Sequence, residues 1–229
     1  MKAKSTFLWV LLAGATLARP ALAQLSTLPP DAAEKEKLYS EAIEKRTERV
    51  LKSLEGIETA KATQVHDLVV NQYRVLRSRD AAIDVLLGLM GKSTNLANRE
   101  PFLITECKPL HDQFVSKLSA VLTPEQIEKV KNQMTYNKVK VTYDTYSAVV
   151  PDLSESERAR IMEELKLARE DALDAGSSAE KFEIFQKYKD RINEFLSTNG
   201  RDVKTALKEW EARQEAEKKS SEKTADKAK

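Results

Sequence analysis

The chain is short of cysteine, glycine and histidine, and each shortage narrows what it is. Cys107 is the only cysteine among 229 residues, so no internal disulfide forms and packing alone must hold the fold. Beside Pro109 in Glu106-Cys107-Lys108-Pro109, it reads as a small buried hydrophobe rather than a reactive thiol. The six glycines build no Gly-rich phosphate loop, and no Cys pair or EF-hand loop is present. His66 and His111 are the only histidines. They fall in different predicted helices without ligand spacing, which argues against a zinc site or a Ser-His-Asp triad. No metal, no cofactor and no catalytic residue is expected.

Neither sign of charge dominates, with 38 basic and 36 acidic residues. A nucleic-acid or anionic-membrane partner held by bulk charge needs a concentrated basic face, which this balance does not supply. Long apolar runs are confined to one, residues 7–18. Lys2 and Lys4 precede it, Arg19-Pro20 breaks it, and the small-residue site Ala21-Leu22-Ala23 follows, the pattern of a cleaved secretory signal over residues 1–23. The run falls short of the ~20 apolar residues a membrane span needs. No stable membrane insertion is expected after cleavage, and the location is secreted, periplasmic. Cleavage deletes Lys2, Lys4 and Arg19 and no acid, leaving 35 basic against 36 acidic residues.

What is abundant is Glu, Lys, Ala and Leu, and with few breakers this composition predicts an all-α protein, a compact domain of about seven or eight helices over residues 24–213. Residues 25–30 read as an extended leader, and Asp31 as the cap of a first helix carrying Leu38, Ala42, Val50 and Leu54. Gly56 ends it. A second helix presents Val65, Leu68, Val69, Gln72, Leu76, Ile83 and Leu87, and Gly88 to Asn95 marks a loop. Pro101 and Pro109 predict a loop or short helix, then a helix over 110–121. Capping boxes at Thr123-Pro124-Glu125-Gln126, Ser154-Glu155-Ser156-Glu157 and Ser177-Ser178-Ala179-Glu180 spell out three helix starts. Ile161, Leu165, Ala168 and Ala172 stripe one of these helices, and Phe182, Phe185, Ile192 and Phe195 the next. Gly200 stops that helix, Asp202 caps a last one through Trp210, and residues 214–229 form a charged tail expected to be disordered. Residues 138–145 alternate as a strand would, yet Val139, Tyr143, Tyr146 and Val150 also keep helical steps, and with no second strand to pair with, helix is favoured.

Paired acids such as Glu163-Glu164 and Glu170-Asp171 are expected on a solvated helix face. Two clusters stand out as candidate ligand-binding residues. Tyr136, Asn137 and Tyr143 lie in the first, where Tyr136 and Tyr143 are seven apart and on a helix share a face suited to stacking on a sugar. Lys187, Tyr188, Arg191 and Asn193 form the second, interrupting a core stripe.

The series Leu122-Thr123-Pro124-Glu125-Gln126, Met134-Thr135-Tyr136-Asn137, Val141-Thr142-Tyr143, Pro151-Asp152-Leu153, Gly176-Ser177-Ser178, Lys187-Tyr188-Lys189, Arg191-Ile192-Asn193 and Trp210 resembles a family of secreted bacterial proteins of unknown function described as sugar-binding. That family is met in bacteria that use polysaccharides. The resemblance implies an exported helical domain with a carbohydrate ligand, and carries no established catalytic residue. Residues 122–126 are also similar to the Leu-Thr-x-x-Gln motif of small periplasmic helical chaperones. The second candidate for that motif, Leu153-Ser154-Glu155-Ser156-Glu157, departs from it with Glu for Gln. The expectation is therefore a non-catalytic glycan-binding protein of polysaccharide utilisation, the alternative being a chaperone or stress-sensor-like protein with envelope-protein partners.

Overall fold

A computed structural model describes residues 30–227. The signal at 1–23 and almost all of the leader lie outside these residues. Among the described residues are eight α-helices and no strand, so the protein is all-α. The helices are α1 Pro30–Ser53, α2 Thr59–Leu89, α3 Leu96–Ser119, α4 Pro124–Met134, α5 Lys138–Val149, α6 Glu155–Leu173, α7 Ser178–Thr198 and α8 Val203–Lys227. The chain divides into two units, Met1–Ala42 and Ile43–Lys229, the boundary falling inside α1. In the first, α1 starts at Pro30, so Asp31 sits within the first turn rather than capping it. There its carboxylate favours the helix dipole, and it pairs with Lys35 at 3.8 Å. Leu38 is exposed, which removes it from the expected stripe.

In the second unit the buried side of α1 is Ile43, Thr47, Val50 and Leu54, at helical steps of four, three and four. The Thr47 hydroxyl donates to the Ile43 carbonyl at 2.9 Å, so its burial leaves no donor unmet. On α2 the expected stripe is buried except Leu68, which is half-buried, and Tyr73 joins it. The prediction of a break at the two prolines is wrong: α3 is one continuous helix with Pro101 and Pro109 inside it. Each interior proline costs a helix about 3 kcal/mol, and tertiary contacts offset this here. Asn95 caps the start through Asn98 N–H, Phe114 and Leu118 are buried, and Arg99 reaches Asp80 on α2 at 2.9 Å and Glu180 on α7 at 3.6 Å.

The capping boxes mark real helix starts. Thr123 and Ser154 form complete reciprocal boxes. Ser177 accepts from Glu180 N–H, while the Glu180 carboxylate turns instead to Gly176 N–H at 3.0 Å. A Cβ at residue 176 would meet the Asp80 carboxylate at 1.7 Å, so any other residue there forces Asp80 to shift away from its ion pairs. Residues 138–145 are helical, within α5.

Between α4 and α5 the chain turns through Tyr136 (φ 60°) and Asn137 (φ 53°), both left-handed. This elbow breaks the helix, so Tyr136 and Tyr143 do not share a helix face as their spacing predicts. One packed region joins α5 to α8: Ile161, Leu165, Ala168, Phe185, Ile192 and Leu196 fill its centre, with Trp210 partly buried against it. Phe182, expected in the stripe, is exposed, with Lys138 Nζ 3.4 Å from its ring centroid. Gly200 (φ 83°) closes α7, and the Asp202 carboxylate accepts from Thr205 N–H at 3.0 Å to start α8. The sequence places the end of this helix near Trp210, but α8 runs to Lys227; the tail's Glu, Lys and Ala are strong helix formers with no Gly or Pro to stop them.

Candidate functional site

Helix α7 has a side of Ile184, Lys187 and Tyr188 that faces α3 and α6 across an open cleft of about 440 Å³. Its floor is aliphatic, from Leu96, Leu103 and Ile184, and the rest is charged. Positions 100 and 111 are three helical turns apart on α3, which brings Glu100 and His111 to the same side, while α6 supplies Glu170 and Asp171 and its C-cap residue Asp174 follows.

His111 is the pivot. Its Nδ1 lies 3.0 Å from Asp174 Oδ2 and its Nε2 3.5 Å from Glu170 Oε2. The hydrogen bond to Asp174, then that to Glu170, outweigh burial and raise the imidazole to about 9. At neutral pH it is therefore an imidazolium donating from both nitrogens. Burial is the largest influence on Glu170 and would raise it, but hydrogen bonds from His111, Lys131 and Arg169 together hold it at about 2. Lys131 Nζ donates to Glu170 Oε2 at 2.7 Å, and buried Arg169 donates to Glu170 at 2.8 Å and to Asn132 Oδ1 at 2.9 Å. Glu128 approaches the same guanidinium to 2.7 Å. This relay ties α3, α4 and α6 together behind the cleft.

Each charged group in the cleft has a partner. Lys187 pairs with Glu100, Lys108 with Asp112 at 3.4 Å, and the Tyr188 hydroxyl donates to Asp171 Oδ2 at 2.5 Å. Burial, then this bond to Asp171, push the Tyr188 phenol above its ordinary range. A carboxylate so engaged keeps free lone pairs, so the cleft offers acceptors whose charges are mostly paired, Asp171 meeting a phenol instead of a cation.

The seven residues singled out from sequence do not converge. Lys187 and Tyr188 line the cleft. Arg191 lies beside it: its guanidinium sits 4.9 Å from the Tyr188 ring centroid and 3.5 Å from Glu164 Oε2. Tyr136 bonds Ser178 Oγ at 2.7 Å, Asn137 is exposed on the elbow, and Tyr143 packs half-buried against the core. Asn193 accepts from the Tyr146 hydroxyl at 2.7 Å and lines a different groove. Sequence reasoning missed Glu100, His111, Asp171 and Asp174, and set Glu170-Asp171 aside as solvated. The available signal was the i, i+4 spacing of Glu170 and Asp174, which puts two acids on one side of α6.

A second charged cluster is structural. Asp80 meets Arg79 at 2.5 Å and Arg99 at 2.9 Å, and fully buried Lys181 donates to the Ala172 carbonyl at 2.6 Å. Burial pushes the Lys181 ammonium down to about 7. Among the described residues no group of three or more His, Cys, Asp and Glu is placed to hold a metal ion.

Residues 40–216 match the family of proteins of unknown function DUF3826. The chain belongs to that family. The DUF3826 match takes in α2 to α7 whole, with part of α1 and of α8, and so contains every cleft residue. No curated protein matches this DUF3826 chain. No described helix is long and apolar enough to cross a membrane.

Proposed function

We propose that this protein is exported, to the periplasm, and binds a neutral glycan or glycan fragment without chemically altering it, serving polysaccharide utilisation. The observation that carries this reading is the cleft's pairing pattern: its cations each meet an acid, and Asp171 meets a phenol, over an aliphatic floor. An ionic ligand would have to break those pairs, at a cost in desolvation and lost partners. A polyol adds hydroxyl hydrogen bonds to the spare lone pairs of Asp171 and Glu100 and lays its C–H faces on Leu96 and Ile184. Lys187 and Tyr188 orient it. Tyr136, Asn137, Tyr143, Arg191 and Asn193, candidates on sequence, act outside this cleft.

The test is a glycan-array screen of residues 24–229, with thermal-shift titration of each hit. The reading predicts saturable binding of one neutral glycan class, weakened about tenfold in Asp171→Asn, the cost of about one hydrogen bond to a charged group. A clean negative with folded protein would contradict it.

A second reading, a periplasmic helical chaperone, is favoured by one observation: Val85, Leu86, Leu89 and Met90 are exposed together at the end of α2, an apolar patch of the kind that engages proteins. It predicts suppression of client aggregation, lost in Leu86→Ser/Leu89→Ser, and no saturable sugar binding.

A further inference from the structure

The opposite side of α7, from Gln186 through Lys189, Asn193 and Ser197, faces a separate groove of about 570 Å³ enclosed with α5 and α8. The positions differ from those at the cleft by about half a helical turn, so the two cavities lie back to back across one helix. The groove has a physical origin in side-chain size. Thr142, Thr145 and Ser197 are short, and where longer side chains would close α5 onto α7 and α8 they leave space between aliphatic walls of Val149, Val203 and Leu207. Leu207 is 37% exposed and Val141, also in the lining, 59% exposed.

Two observations decide what fits. At the floor the Tyr146 hydroxyl donates to Asn193 Oδ1 at 2.7 Å and contacts the Lys189 carbonyl oxygen at 3.2 Å. Its polar atoms serve one another, which leaves a hydroxyl-rich ligand little to bond. The charged side chains lining the groove are both cations, Lys189 and Lys204, with no carboxylate among the lining residues. Lys189 Nζ donates to a neutral acceptor, Gln186 Oε1, at 3.2 Å. Asp202 caps α8 through Thr205 N–H and also attracts Lys204, but lies outside the lining. The groove thus pairs an apolar body with two lysines at its lining and carboxylates only outside it, the inverse of the cleft.

We infer that this groove binds a single-chain anionic amphiphile, an aliphatic carboxylate whose chain lies along Val149, Val203 and Leu207 and whose head meets Lys189 and Lys204. The volume is within the range of small-molecule sites. Removing the chain from water drives binding, and the two ammonium groups supply charge-assisted hydrogen bonds that select the anion over a neutral head. This inference is independent of the glycan reading, which concerns the other side of α7.

Calorimetric titration of the full chain with decanoate, decanol and acetate tests it. Expected are saturable one-to-one binding of decanoate, at least about tenfold weaker binding of decanol, and none of acetate. Lys189→Glu/Lys204→Glu, on side chains outside the core, is expected to weaken decanoate about tenfold or more and leave decanol unchanged. Thr145→Trp fills the groove and is expected to abolish both; where that variant loses its helical circular dichroism, Leu207→Asp at the exposed rim replaces it. Absence of saturable decanoate binding, equal affinity for decanol and decanoate, or decanoate binding unaffected by the charge reversal or by filling the groove would each overturn the inference.

Discussion

The two sides of α7 show how one helix serves two kinds of surface. Toward α3 and α6, Lys187 pairs with Glu100 and Tyr188 bonds Asp171. Toward α5 and α8, Lys189 and Asn193 border aliphatic walls. Between them Phe185, Ile192 and Leu196 are buried and hold the helix in place. Burial of apolar area, which has no preferred direction, secures the position of α7. Charge pairing then sets the two sides apart, because engaged carboxylates and lysines beside an apolar wall favour different chemistry.

The division of labour is broken most severely by attacking what both sides share. Phe185→Ala, at a fully buried ring, is expected to destabilise by about 3 to 5 kcal/mol, read as a fall in the denaturation midpoint. Loss of the binding proposed for the cleft and for the groove should accompany it. Removing a cap acts on one helix alone: Ser154→Ala, which opens the complete box at the start of α6, is expected to cost about 1 kcal/mol, measured the same way.

The charge lattice has its own signature in pH. His111 is raised from 6.5 to about 9, so its contribution is fully present below pH 6.5 and is lost as pH rises through 9. Lys181 is lowered from 10.5 to about 7. Below pH 7 both states hold the proton and the folded state alone bears the cost of burying it; that cost is relieved and stability gained as pH rises from 7 to 10.5, where the unfolded state holds the extra proton. The two slopes oppose each other between pH 7 and 9. Melting temperature against pH separates them: His111→Gln is expected to rise across that window more than the parent chain, and Lys181→Met to fall more. Identical profiles for all three chains would mean the lattice does not carry these protons.

The smallest effect belongs to a pair outside both surfaces. Lys140 and Asp144 meet at 2.6 Å with both side chains mostly exposed, so Lys140→Ala is expected to shift stability by no more than about 0.5 kcal/mol.

Much of the fold was legible because it is local. Thr123, Ser154 and Ser177 cap where their boxes indicate, and the stripe Ile161, Leu165, Ala168, Ala172 is buried. Legibility failed where long-range contacts overrule local preference. Pro101 and Pro109 stay inside α3 because ion pairs and packing on its neighbours outweigh the lost backbone bonds. Tyr136 and Asn137 take left-handed dihedrals that no spacing rule reveals. The cleft was the least legible of all, since Glu100, His111, Asp174 and Lys187 come from three helices and meet only on folding. Their identities resemble those of any solvated helix face.

The central claim is that the charge-paired side of α7 is the glycan site. Saturation binding of the array hit to the parent chain, Asp171→Asn and Tyr136→Ala tests it most directly. The account predicts about tenfold weaker binding in Asp171→Asn and unchanged binding in Tyr136→Ala. Loss in Tyr136→Ala with full retention in Asp171→Asn would contradict it and move the site to the α4–α5 elbow.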